Sequence, residues 1–246
     1  MVSGKRVLLI LLVLLGPGLI IYFISKTVNN HFLRLPYLGY EYTMDANGNK
    51  VDSTAYQVPE FALTNFNGDP INQDSIDDKI IVLTTIQNEC PDLNTCGLSL
   101  FHFNEIFFHK LVKNQDNYWN VRVLSILTDQ NGQPIDSVSS ALREEIKQYD
   151  TTGIWWFSTG DVSPFYDFDY YGKQFIDQPA SAQDGEIGEK AYTNSLVLID
   201  DEGHIRAVSG GKSDTDIRNF FDMVKLLKKE EFDANLAAEE RSQPSK

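Results

Sequence analysis

The sequence predicts an α/β domain, a central mixed sheet flanked by helices, on a chain that opens with one transmembrane helix. Three observations predict it. Short, apolar, β-branched runs alternate with stretches of helical periodicity, the pattern of strands joined by crossover helices. The last two such runs are separated only by a tight turn, so the sheet closes with an antiparallel pair. Val7–Ile24 carries no charge over 18 residues, enough to cross a bilayer core of ~30 Å.

Lys5 and Arg6 precede that run, which places the N-terminus in the cytoplasm and the bulk of the chain outside it. Gly16-Pro17-Gly18 would kink a helix at mid-span, a feature bilayers tolerate. A cleaved signal has an apolar stretch of ~7–15 residues and a small-residue cleavage site. This run is longer and lacks the site, so 1–26 reads as a cytoplasmic tip and an uncleaved anchor. Residues 27–55 are polar and aromatic, broken by Pro36, Gly39 and an Asn47-Gly48 turn, and read as a tether.

The domain is expected over 56–232. Phe61–Asn72 is a hairpin around Asn67-Gly68. Lys79–Ile86 is a buried strand, and Leu98–Val112 is a helix packed on the sheet. Val121–Asp129 is the next strand, and Ile135–Tyr149 an amphipathic helix. Ile154–Gly160 is a short strand; Asp161 is a candidate N-cap for a helical turn after it. Phe175–Glu189 is irregular. Thr193–Asp200 and His204–Ser209 are strands joined by a turn at Asp201–Gly203. The last helix, Asp214–Phe232, has acids at its start and lysines late, which suits its dipole. A polar tail, 233–246, follows.

With 42% hydrophobic and 23% charged residues the chain can build one sizeable core. The net charge of −14 repels phosphate backbones and argues against a nucleic-acid partner. The anchor region holds no acid, so the exported part is more acidic still, which reads as a solubility feature. The Trp155-Trp156 pair and the aromatics of Asp161–Gly172 read as core and sheet packing before they read as a groove.

Both cysteines, Cys90 and Cys96, stand in the segment between the first core strand and its helix, where sites in open α/β sheets collect. The element order, closed by a hairpin and a helix, describes a thioredoxin-like fold. The residues then resemble one family in particular. Val58–Asn72 with Asp78–Leu93, Val121–Asp129, Trp155–Asp161 and Thr193–Gly211 are similar, in order, to segments of Sco/SenC proteins. The resemblance spans about Tyr56–Phe232 plus the anchor. It implies a membrane-anchored thioredoxin-fold protein linked to copper delivery for cytochrome c oxidase assembly. It further implies a respiratory oxidase subunit or a thiol-redox protein as partner, and the periplasmic side of a bacterial inner membrane as location.

The chain departs from the family's pattern at its site. Sco proteins carry C-P-x-x-C with three residues between the cysteines; here five separate Cys90 from Cys96. The family's copper-ligand histidine aligns with Tyr192, a poor donor for Cu(I), which prefers thiolate, thioether and imidazole. Asp129 stands where one acid of the family's acidic loop belongs, and the second is missing. Copper on Cys90 and Cys96 would need a third donor. His102 and His109, on the helix after Cys96, are candidates that read more simply as surface or packing residues. His204 and His31 read as exposed.

Three readings of the pair stay open. As a redox pair, Cys96 would sit in the first turn of a helix capped by Asn94 or Thr95, with its thiolate favoured by the dipole, and Cys90 would resolve the intermediate. Glu89 and Asp92 work against that thiolate, and no proline adjoins Tyr192–Asn194, where thioredoxins carry a cis-proline. As a structural disulfide in a non-catalytic scaffold, so small a loop would contribute only roughly 2–2.5 kcal/mol. A peroxiredoxin-like thiol peroxidase would place threonine three residues before the reactive cysteine; Gln87 and Leu93 stand there instead.

Overall fold

The computed structural model describes residues 34–88, 98–129, 133–135, 137–149, 152–178 and 195–242, with Tyr22 and Tyr192. The chain divides into two compact units, Met1–Arg34 and Leu35–Lys246. Of the first, only Tyr22 and Arg34 are described, and both are exposed. Among the described residues no helix is long and apolar enough to cross a membrane. The expected anchor Val7–Ile24 lies outside them except for Tyr22.

The second unit is built on a seven-stranded mixed sheet in the order β11-β10-β5-β6-β7-β3-β4. β5 (Ile80–Gln87), β6 (Val121–Thr128) and β7 (Trp155–Gly160) run parallel at its centre. β10 (Ser195–Ile199) pairs antiparallel with β5 and with β11 (Ile205–Gly210). On the other side β3 (Leu63–Asn65) pairs antiparallel with β7 and with β4 (Pro70–Ile71). Strand-helix alternation closed by an antiparallel pair and a long helix is the thioredoxin-like arrangement expected from the sequence.

Both faces of the central strands are covered, which is why β5 and β6 are apolar without alternation. Ile80 and Val82 face one core cluster; Ile81 and Leu83 face the other. The first cluster is covered by α2 (Leu100–Phe103), a π-helical turn (Asn104–Phe108) and α3 (His109–Lys113), by α4 (Ser140–Lys147), and by α6 (Asp214–Ser242). Trp155 is its hub. Its ring lies 5.2 Å from Phe103, 4.8 Å from Phe108, 5.2 Å from Tyr149 and 5.0 Å from Phe157. The indole N–H donates to Ser125 Oγ at 2.8 Å, and that hydroxyl bonds Thr84 Oγ1 at 2.8 Å. The second cluster is covered by α1 (Gln73–Ile76) and α5 (Ser163–Tyr166) with Phe168 and Phe175.

The π turn follows from the need to serve Trp155. At about 100° per residue a straight helix would set Phe108 about 140° round from Phe103. The turn absorbs one residue and brings both rings to the same indole. β7 ends on Gly160, paired with Leu63 of β3, where φ is +150° and an added Cβ would lie 2.5 Å from Leu63 Cδ2 and 3.1 Å from the Ala62 carbonyl oxygen, so this position in the ladder favours glycine.

Several elements differ from the expectation. Within 27–55, β1 (Tyr40–Met44) and β2 (Lys50–Ala55) form a hairpin about the expected Asn47-Gly48 turn. Only eight residues of Ile135–Tyr149 are helical. A two-residue hairpin, β8 (Asp169–Tyr170) with β9 (Lys173–Gln174), follows α5. The last helix continues through the expected tail to Ser242. The cap of α5 is Val162, which makes no side-chain cap bond, not the expected Asp161; Asp161 stands one residue earlier, where its Oδ1 accepts from Ser163 N–H at 3.0 Å.

Candidate functional site

Cys90 and Cys96 lie in 89–97, outside the described residues, as do Glu89, Asp92, Asn94 and Thr95. The two ends of that segment are described, and both are held. On the strand side, Asn88 N–H donates to the Thr128 carbonyl at 2.8 Å. Its Oδ1 accepts from Ser139 N–H at 2.8 Å, and its Nδ2 donates to the Ser137 carbonyl at 3.3 Å. One side chain therefore ties the end of β5 to the loop between β6 and α4, a role that nothing in the sequence pattern marks. On the helix side, Ser99 Oγ accepts from His102 N–H at 3.4 Å and caps α2. Leu98 before the cap and Phe103 in the first turns share the buried cluster, a hydrophobic staple that fixes where the helix begins.

The described helix begins at Leu100 and its cap is Ser99; the expected caps Asn94 and Thr95, and Cys96 with them, lie outside the described residues.

Tyr192, at the position of the family's histidine, is half-buried and packs against the second core cluster. The helix that follows the cysteines packs on the first cluster, on the other face of the sheet. Within the second cluster lie three hydroxyls that the sequence did not single out. Thr85 Oγ1 near the end of β5, Ser195 Oγ at the start of β10 and Tyr166 OH on α5 are buried with no hydrogen-bond partner among the described residues. Burial pushes the Tyr166 phenol up to about 12, and the nearby Ser195 and Thr85 hydroxyls work in the opposite direction without reaching bonding geometry.

The histidines separate. His102 Nδ1 is 3.4 Å from Asp214 Oδ1 at the start of α6, and both side chains are half exposed. His109 is exposed on α3. His204, expected in solvent, is largely buried: its Nδ1 lies 3.5 Å from Asp200 Oδ1, and its ring meets Tyr37 edge-on at 5.1 Å. His31 lies outside the described residues. Asp129 closes its own loop by accepting from Gln133 N–H at 2.8 Å. Among the described residues no three His, Cys, Asp or Glu side chains gather as a metal-holding group. Two thiolates suit Cu(I) and a phenol does not, and among the described residues no third donor is gathered that would complete a three-ligand copper site.

No family model matches this chain, and no curated protein matches it. Solved structures do. The chain is similar to BsSco, a member of the Sco family of cytochrome c oxidase assembly proteins, at 19% identity and a TM-score of 0.49, over 70% of this chain and 94% of that one. It is similar to a SCO1/SenC family lipoprotein from Bacillus anthracis at 21% identity and a TM-score of 0.47, over 70% and 95%. It is similar to copper-bound ScoI from Bradyrhizobium japonicum at 19% identity and a TM-score of 0.44, over 70% and 100%. These are likenesses of fold at low identity, and Sco and SCO1/SenC proteins are thus among the structures the chain is similar to.

Two clefts lie elsewhere in the domain. One, about 370 Å³, is lined by Phe66, Ile71, Trp156 and Phe157 with Asn67 and Lys79. Trp155 is therefore core, as expected, while its neighbour Trp156 faces a groove. The other, about 590 Å³, lies where β5 begins, the end remote from Asn88, and gathers Asp77, Asp78, Asp201 and Glu202. Burial and the neighbouring Asp200 raise the Asp201 carboxyl.

Proposed function

We propose that this chain is a divergent, membrane-anchored Sco/SenC-type protein whose Cys90–Cys96 pair exchanges electrons with a partner's disulfide during respiratory oxidase assembly. Its folded domain would lie on the periplasmic side of a bacterial inner membrane. The observation that carries the reading is the placement of the cysteine segment. Its nine residues run from the C-terminal end of β5, held by Asn88, to a helix fixed by the Ser99 cap. That is the crevice side of a parallel sheet, where such folds place their chemistry.

The exchange balances with the two thiols alone. One thiolate attacks a sulfur of the partner's disulfide, forming a mixed disulfide and releasing a partner thiolate. The second thiolate attacks the first cysteine's sulfur, and the partner leaves as a dithiol. The pair loses two electrons and two protons; the partner gains them. The exchange as written needs no copper.

A second reading, a scaffold with a structural Cys90–Cys96 disulfide, draws support from Glu89 and Asp92, whose charges disfavour a thiolate beside them. Equilibration of the full chain in detergent against thiol buffers, followed by alkylation, separates the two. Exchange with a midpoint above about −300 mV, abolished as a two-electron couple in Cys90→Ser and in Cys96→Ser, supports the redox reading. A pair that resists reduction supports the scaffold. Tight one-to-one Cu(I) binding lost in both variants would restore the copper role and require a third ligand.

A further inference from the structure

The cleft of about 370 Å³ opens beside the first residues of β5 and β7. Phe66, Ile71, Trp156 and Phe157 wall it, and the Phe66 and Phe157 rings stack at 6.2 Å. Most polar groups among its walls are already committed. The Trp156 indole N–H donates to the Gly153 carbonyl at 2.9 Å. Asn65 Oδ1 accepts from the Asn67 and Asp69 N–H groups, each at 2.9 Å, and Asn65 Nδ2 donates to Asp69 Oδ2 at 3.1 Å. Ser75 Oγ donates to Asn72 Oδ1 at 3.1 Å. Lys79 is different. Its Nζ donates to the Asp77 carbonyl oxygen at 3.2 Å, and it pairs with no carboxylate among the described residues. The Arg143 guanidinium, 5.1 Å from the Phe66 ring, has no carboxylate partner among them either. A chain of net charge −14 thus sets two cations without counter-ions beside one aromatic cleft.

We propose that this cleft binds a small aromatic monocarboxylate. A concave site of this size, apolar with one placed charge, suits a small molecule. The ligand's ring leaves water for the walls of Phe66, Ile71 and Trp156. Its carboxylate accepts a charge-assisted hydrogen bond from Lys79 Nζ, which keeps two N–H donors beyond the one given to Asp77. A sugar would bring hydroxyls against walls whose donors and acceptors are engaged, and would lose its water bonds without replacement. A nucleotide brings several negative charges where the lining holds one lysine. The cation selects an acid over a neutral aromatic of the same shape. The site stands independently of the thiol chemistry proposed above.

Isothermal titration of the full chain in detergent, with protein-free micelles as the blank, tests the site with two probes, 2-naphthoate and its neutral amide. The wild type is expected to bind the acid about tenfold more tightly than the amide. Lys79→Met should bring the acid down to the amide's affinity and leave the amide unchanged, while Lys79→Arg should keep the preference. Trp156→Ala should weaken both probes about tenfold or more, since the ring supplies the wall. Thermal unfolding verifies that each variant is folded at the assay temperature, and the exposed face of Lys79 makes its variants the safer pair. A wild type that binds neither probe below about 1 mM, or binds the two equally, overturns the proposal. So does a preference for the acid that survives Lys79→Met.

Discussion

Ser125 and Tyr166 carry buried hydroxyls of opposite energetic character. Ser125 Oγ joins the Trp155 indole N–H to Thr84 Oγ1 beneath the cover of α2 and α3. Ser125→Ala leaves that N–H buried without an acceptor and should cost about 1–3 kcal/mol in denaturant unfolding. Tyr166 OH is wholly buried and has no hydrogen-bond partner among the described residues, so Tyr166→Phe should be neutral or stabilising. Its effect should appear with pH. The Tyr56 and Tyr166 phenols are both pushed up to about 12 by burial first, Tyr56 also by the charges of Asp167 and Glu41. An acid whose folded pKa is raised adds stability that is present below its unfolded value and lost as pH rises through the folded one. Stability should therefore fall between about pH 10 and pH 12, and Tyr166→Phe should lessen that fall. An equally steep alkaline loss in the variant would remove Tyr166 as its cause. The residues that gave these results were only partly readable beforehand. Trp155 reads as core from its strand, but the partners of Ser125 and Asn88, and the Tyr37 ring packed on His204, come from strands or loops distant in sequence, and no local pattern announces them.

At the level of elements, the central strands were legible because burial on both faces leaves a continuous β-branched run, as in Ile80–Gln87. The hairpin β1–β2 was not, beyond its turn. All but one of its residues are exposed, so no alternation of period two marks it. The π turn was equally hidden, because Leu98–Val112 fits an ordinary helix when read one residue at a time. What demands the π turn is the five-residue spacing of Phe103 and Phe108, both of which touch a single ring, Trp155. Deleting the half-buried Asn104 should therefore leave a regular α-helix with both rings still on one face. The variant should fold, keep the near-ultraviolet dichroism of its buried indole, and unfold within about 1 kcal/mol of the wild type, far from the cost of a lost core aromatic. Loss of the Trp155 signal would mean that the π turn serves the segment before it instead. The cysteine segment precedes this helix and lies outside the described residues. Asn94, Thr95 and Ser99 all have capping chemistry; the described helix is capped by Ser99, with Leu98 ahead of it in the same buried cluster as Phe103.

The fold as a whole is closed by one buried cation. Arg206 on β11 donates to Asp200 Oδ2 at 3.0 Å, to Glu230 Oε2 at 2.6 Å and to the Leu35 carbonyl at 2.8 Å. Leu35 N–H donates back to Glu230, Leu38 N–H donates to the Ile205 carbonyl, and the Tyr37 ring lies 4.5 Å from the guanidinium. Four parts of the domain meet there: the first residues of the second unit, the turn after β10, β11 and α6. Burial works to lower the Arg206 pKa, but hydrogen bonds and the charges of Asp200 and Glu230 hold it above its ordinary value, so the cation persists. Removing the cation alone strands two buried carboxylates. Arg206→Met should cost about 3–5 kcal/mol, and Arg206→Met with Asp200→Asn and Glu230→Gln should recover part of it, since the loss comes chiefly from uncompensated charge. The single variant should also free Leu35–Leu38, seen as faster amide exchange and proteolysis there before the sheet opens. If exchange at Leu35–Leu38 stays as slow as in β5, the segment is held by its apolar contacts, and the ion cluster is a passenger of the fold instead of its clasp.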